Sequence, residues 1–226
     1  MTELTLEEID VDGAIREAED RVAQLTRRGL LGAVVASGAG LLALGRPGTA
    51  RAVTKNDVAI LNYALSLEEL QSAFYTEAER LRKLEGKARQ AARRVGSVER
   101  AHVTAFRKAL GRNAIRRPRY NFGGVTEDER RFLKTAVAFE DLAVAAYKAQ
   151  APRINNRGLL AVAVSIHSVE ARHAAWMRYL FGIRPAAEPF DSGIEMSEIL
   201  RIVRSTRFIA GPPARTTRRS RPRFTG

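Results

Sequence analysis

A glutamate and a histidine three residues apart, Glu170 and His173, lie inside the run Val169-Glu170-Ala171-Arg172-His173-Ala174-Ala175-Trp176. On a helix, residues three apart share a face, one turn above the other. Stepping by four and three residues gives Leu159, Ala163, Ile166, Glu170, His173, Met177 and Leu180, a stripe that is apolar except at these two positions. A carboxylate on a buried stripe is expensive without a partner. The pair therefore calls for a metal, another cation or a hydrogen-bond network. A lone Glu-x-x-His arises by chance on many solvated helices, so its meaning depends on what the rest of the chain supplies. Val98-Glu99-Arg100-Ala101-His102 repeats it on a stripe of Ala92, Val95, Glu99, His102, Phe106 and Ala109. Glu68 interrupts a stripe of Leu61, Ala64, Gln71, Tyr75 and Ala78, and Glu140 interrupts one of Leu133, Val137, Val144 and Tyr147.

The spacing reads as a duplication. Glu68 and Glu99 are 31 residues apart and Glu140 and Glu170 are 30 apart, while Tyr75 and Tyr147 each follow a glutamate by seven residues. Two helix pairs of the form Glu…Tyr, then Glu-x-x-His, imply two equivalent half-sites about a pseudo-twofold axis. Two divalent cations held close together need anionic oxygen donors, some bridging both ions, and an imidazole to cap each. Hard carboxylates with imidazole suit iron or manganese better than copper(I).

The elements that must position these residues are long helices. A first helix follows the candidate caps Asn56 and Asp57 and ends near Gly86, and a second stops at Gly111. The stretch from Gly111 to Val125 contains Pro118, Gly123 and Gly124. It is long for a helix–helix connection and is read as a crossover along the bundle. Thr126 and Glu129 have the spacing of a capping box for the third helix, which Pro152 ends. A fourth helix runs from about Asn156 to Phe181, with Gly182 and Pro185 as stops, and a short amphipathic fifth covers Ser197 to Phe208. The expected fold is all-α, a four-helix bundle over 53–185 with a helical extension over 186–211.

At these residues the chain resembles the ferritin-like superfamily and, more narrowly, exported bacterial ferritin-like domain proteins related to desiccation-associated proteins. The stretches that carry the resemblance are Leu61-Asn62-Tyr63-Ala64-Leu65-Ser66-Leu67-Glu68, Val98 to His102, Phe139-Glu140-Asp141-Leu142 and Val169 to His173. It covers roughly Val53 to Phe181. It implies a dinuclear centre of two iron ions, or manganese, held by Glu68, Glu99, His102, Glu140, Glu170 and His173. The family often has Glu at the position of Gln71. Glu69 has the wrong neighbours for a ligand, and His167 and Trp176 read as packing or partly exposed residues. Tyr75 and Tyr147 either pack the core with their hydroxyls on a carboxylate, or act beside the metals as redox or controlling residues. The implied activity is that of a ferroxidase or peroxidase-like oxidoreductase acting on ferrous iron with dioxygen or peroxide. The alternative is a non-enzymatic envelope or stress protein.

Composition bounds the rest. With no cysteine among 226 residues, disulfides, thiolate metal sites and cysteine nucleophiles are excluded. Residues 1–25 are acidic. Thr26-Arg27-Arg28-Gly29-Leu30-Leu31, an apolar Gly/Ala-rich run to Leu44, and Ala50-x-Ala52 resemble a twin-arginine export signal. Its long acidic leader, Leu30 and Gly32 depart from the usual pattern. The apolar run is short and dilute for a membrane span, although retention as an uncleaved anchor is the alternative. Residues 1–52 hold 6 basic and 8 acidic side chains, so the chain from Val53 onward is more basic than the whole, +15 against +13. Such charge favours acidic wall polymer or anionic lipid. The tail, 212–226, is rich in Arg, Pro, Ser and Thr and is expected to be disordered. It has no aromatic interleaving to suggest specific nucleic-acid binding. A homo-oligomer is compatible with this reading.

Overall fold

The computed structural model describes residues 52–186 and 188–211. The export-signal motif and the basic tail lie outside the described residues. Four long helices form the bundle: α1 (Lys55–Leu81), α2 (Gly86–Leu110), α3 (Glu129–Gln150) and α4 (Arg157–Phe181). A short α5 (Met196–Ser205) follows. The expected all-α bundle is present, with the most extensive packing within the α1–α2 and α3–α4 pairs.

The helix boundaries follow local chemistry that differs in places from the sequence expectation. The N-cap of α1 is Thr54, not Asn56 or Asp57; its side chain accepts from the Asp57 amide, and Asp57 accepts from the Thr54 amide at 2.9 Å. Asp57 is fully buried because its other oxygen accepts from the Asn155 amide at 2.8 Å, which ties the start of α1 to the α3–α4 turn. The first helix stops earlier than Gly86 because Arg82 takes a left-handed conformation (φ 55°), and Leu84 then folds into the core. Thr126 does not cap α3. Its hydroxyl donates to Glu77 at 2.8 Å, and Asp128 caps the helix through the Arg131 amide. Asn156 caps α4, and Gly182 (φ 86°) ends it in the left-handed conformation that glycine tolerates.

The crossover joins α2 to α3 and includes a two-residue strand, β1 (Arg119–Tyr120). It pairs antiparallel with β2 (Ile209–Gly211), which follows α5. Strand pairing was not expected from the sequence; two or three residues are too few to show alternation. Asn62 pins the start of the crossover to α1, donating to Asn113 O at 2.9 Å and accepting from the Ile115 amide at 2.8 Å. Phe74 lies at the centre of an aromatic cluster, stacked on Phe132 at 5.1 Å and edge-on to Tyr75, Phe122 and Phe139. Phe208 then packs against Phe122 and Phe139. The crossover and the C-terminal extension thereby close one side of the bundle. Among the stripe positions, Ala109 is exposed and Leu110 is buried in its place.

Gly96 sets the approach of α2 to α1. A Cβ there would lie 2.8 Å from Tyr75 Cβ and 2.5 Å from Glu79 Oε1. The Glu79 side chain can swing aside, but Tyr75 Cβ is held by its backbone and by the aromatic cluster. Gly96→Ala is therefore expected to destabilise the chain by about 1–3 kcal/mol, the usual range for an overpacked core. Chemical denaturation checks this, and an unchanged midpoint would contradict it.

Candidate metal centre

Each long helix delivers its polar residues to one level of the bundle. Glu68 comes from α1, Glu99 and His102 from α2, Glu140 from α3, and Glu170 and His173 from α4. All four glutamates are completely buried, and the two histidine side chains are nearly so, at 12% exposure for His102 and 9% for His173. They fall into two overlapping groups, each with ligand atoms within 4.8 Å of one another. One is Glu68, Glu99, His102 and Glu170; the other is Glu99, Glu140, Glu170 and His173. The structure thus brings together all six residues singled out in the sequence.

The arrangement has the symmetry implied by the duplication. Glu99 and Glu170 belong to both groups, and each group adds one glutamate and one histidine of its own. His102 Nδ1 lies 3.1 Å from Glu68 Oε2 and 3.2 Å from Glu170 Oε1. His173 Nδ1 lies 3.0 Å from Glu99 Oε1 and 3.5 Å from Glu140 Oε2. The two tyrosines cross between halves. Tyr75 of α1 donates to Glu140 Oε1 on α3, and Tyr147 of α3 donates to Glu68 Oε1 on α1 at 2.5 Å. Each unshared glutamate therefore has one oxygen held by a phenol and the other turned towards the cluster.

Four carboxylates in so small a buried volume cannot all be charged without compensation. Burial, with the Glu68 charge, pushes Glu99 up to about 7. Burial, with the charges of Glu99 and Glu68, holds Glu170 well above the usual carboxylate range. Burial also opposes the Glu68 charge, but His102 beside it and the Tyr147 hydroxyl bring that group below its usual value. Burial opposes protonation of both imidazoles, yet the carboxylates outweigh it. His173 rises to about 10 through Glu140 and Glu99, and His102 rises further through Glu68. Burial and the same carboxylates push both phenols up.

The donor set fits divalent cations. Both oxygens of Glu99, both of Glu170, Oε2 of Glu140 and Nδ1 of His173 are buried without a hydrogen bond. His173 Nδ1 is close to Glu99 and Glu140 but makes no hydrogen bond to either. Leaving a buried polar atom unsatisfied costs about 1–3 kcal/mol. A cation between the four carboxylates would satisfy these atoms at once. Glu99 and Glu170, common to both groups, hold four of the five unmatched carboxylate oxygens of the cluster. A family model described as a ferritin-like domain matches residues 56–182, more than half of the chain. The chain belongs to the ferritin-like family. No curated protein matches it.

Other candidates in this ferritin-like domain find different roles. Glu69 is buried but turned away from the cluster, paired with Arg107 Nε at 2.6 Å and Arg117 Nε at 3.2 Å. It links α1 to the end of α2 and to the crossover. His167 is half-buried outside the cluster, with burial lowering its pKa. Trp176 packs, half-buried, on the core. Gln71 is buried one turn from Glu68, with its Nε2 unpaired. The sequence reading did not single out Tyr63 or Gln150, whose Oη and Nε2 are also buried and unpaired. Nothing in their spacing distinguishes them from core and surface positions.

Metal binding must displace protons from this centre. Divalent cations require anionic Glu99 and Glu170 and neutral imidazoles, and all four groups hold protons too strongly in the metal-free protein. Affinity for a divalent cation is therefore expected to rise at least tenfold between about pH 6 and about pH 8, on titration of Glu99 near 7 alone. Anaerobic calorimetry in buffers of different ionisation enthalpy checks both this slope and the proton release. A pH-independent affinity would contradict the account.

Proposed function

We propose that this protein is an exported ferritin-like oxidoreductase that holds two iron ions, with manganese as the alternative, and oxidises ferrous iron with dioxygen or peroxide. The observation that supports it most strongly is the pair of fully buried carboxylates, Glu99 and Glu170, shared by both half-sites with all four oxygens free of hydrogen bonds. When bound, a pair of ferrous ions supplies the two electrons that reduce the oxidant.

The residues of the chain do the remaining work. Glu68, Glu99, His102 and Glu170 would hold one ion, and Glu99, Glu140, Glu170 and His173 the other. Tyr147 and Tyr75 fix the orientation of Glu68 and Glu140 by donating to one oxygen of each, so the second oxygen stays aimed inward. The raised affinity of both phenols for protons keeps them as donors. The aromatic cluster around Phe74 excludes water behind Tyr75. His102, and not His173, lines the solvent-open cleft beside the centre, which favours entry of ferrous iron and oxidant from that side.

Export is supported by the paired arginines Arg27 and Arg28, the following apolar run and the Ala50-x-Ala52 site. Among the described residues no helix is long and apolar enough to cross a membrane. The basic balance of the chain from Val53, with its arginine-rich tail, supports association with acidic wall polymer or anionic lipid.

Rapid mixing of the anaerobic, iron-loaded full chain with dioxygen or peroxide tests the proposal. Oxidation is expected to fall at least a hundredfold in Glu99→Ala/Glu170→Ala. Equal rates in parent and variant would sink the enzymatic reading and leave a non-enzymatic envelope or stress protein that binds polyanions.

A further inference from the structure

The two halves of the centre share a ligand pattern but not their surroundings. Behind Tyr75 the core is filled by Phe74 and Phe132. Behind Tyr147 and His102 lies a cavity of about 330 Å³. All four long helices contribute to its walls, for example Leu61 of α1, Phe106 of α2, Tyr147 of α3 and Ile166 of α4. It runs inward from a cleft between α2 and α4, where Ala109, Ala161 and Ser165 of its lining are exposed. On the α2 side the wall is a run of alanines one helical turn apart, Ala101, Ala105 and Ala109. Ala101 and Ala105 are partly exposed and Ala109 exposed, so the space reaches solvent along this edge.

We infer that this cavity binds a linear aliphatic molecule of about ten carbons carrying one hydrogen-bond acceptor, with part of its chain against His102 and Tyr147. The lining chooses the chemistry. Leucine, isoleucine, valine, phenylalanine and alanine dominate it, and such a surface gives water too few partners. A methylene group occupies roughly the volume of a water molecule, about 30 Å³, so the space accommodates about ten of them. The acceptor follows from a separate observation. Tyr63 and Gln150 both contribute to the wall and are at least nine-tenths buried, and Tyr63 Oη and Gln150 Nε2 have no hydrogen-bond partner. A ligand hydroxyl would accept from either atom, and the Glu195 charge acting on Tyr63 disfavours a carboxylate there. An apolar pocket with a few polar groups in its wall is the usual form of a small-molecule site.

The inference concerns the pocket alone and needs no bound metal, so it can fail or succeed independently of the proposed chemistry. Calorimetric titration of the metal-free full chain with decanol, an uncharged probe that the net charge cannot attract, is expected to show one molecule bound per chain. Ala105→Phe and Val162→Phe fill the cavity from opposite helices, and each is expected to weaken uptake at least tenfold while helical circular dichroism is unchanged. No uptake by the full chain overturns the inference, whether sedimentation shows a second copy filling the space or residues 1–51 cover it. Uptake undiminished in both variants overturns it as well. Iron stoichiometry is measured in parallel: decanol uptake without iron binding supports the pocket and overturns the proposed function.

Discussion

Four glutamate carboxylates, one from each helix, are buried within contact distance of one another, and the rest of the structure is built around that constraint. Removing a carboxylate from water costs several kcal/mol even after relaxation, and mutual repulsion adds to it. Two histidines, two tyrosines and shared protons offset part of this in the metal-free protein. Five carboxylate oxygens still have no hydrogen bond. The bundle is therefore complementary to divalent cations more than to itself. The long helices, the Gly96 close approach and the aromatic cluster hold the carboxylates in place against their own repulsion.

The pseudo-twofold repeat divides the labour. Glu99 and Glu170 come from α2 and α4, the second helix of each pair, and are common to both half-sites. Glu68 and Glu140 come from the first helices, and each is clamped by the tyrosine of the other. These crossed bonds tie α1 to α3, a pair that otherwise packs much less extensively than α1 with α2 or α3 with α4. The symmetry stops at the first layer. The crossover, α5 and β2 build an aromatic wall on one side and leave small residues on the other, so one half-site is sealed and the other adjoins open space.

Much of this was legible in the sequence, for reasons particular to these residues. A glutamate in an apolar helical stripe is conspicuous, and Glu68, Glu99, Glu140 and Glu170 each stand in one. Their separations of 31 and 30 residues, with the matching tyrosines, reveal the duplication. Gly111, Asn156 and Gly182 mark helix ends because their chemistry is strong and local. Less legible were features set by tertiary partners. Thr126 has the spacing of a cap but is taken by Glu77 on α1, and Asp57 looks like a cap but instead completes one and binds the α3–α4 turn. The β1–β2 pairing joins residues about 90 positions apart through strands too short to have a pattern. The cavity is also a property of packing: Ala101, Ala105 and Ala109 read as ordinary helix formers until the opposite wall is known.

The central claim is that the six residues hold two ions, and anomalous diffraction at the iron edge from crystals loaded anaerobically with ferrous iron tests it most directly. The account predicts two peaks roughly 4 Å apart. One should lie among Glu68, Glu99, His102 and Glu170, and the other among Glu99, Glu140, Glu170 and His173. No peak at this level of the bundle, with the carboxylates paired only to the histidines and tyrosines, would contradict it and leave the cluster as a structural network.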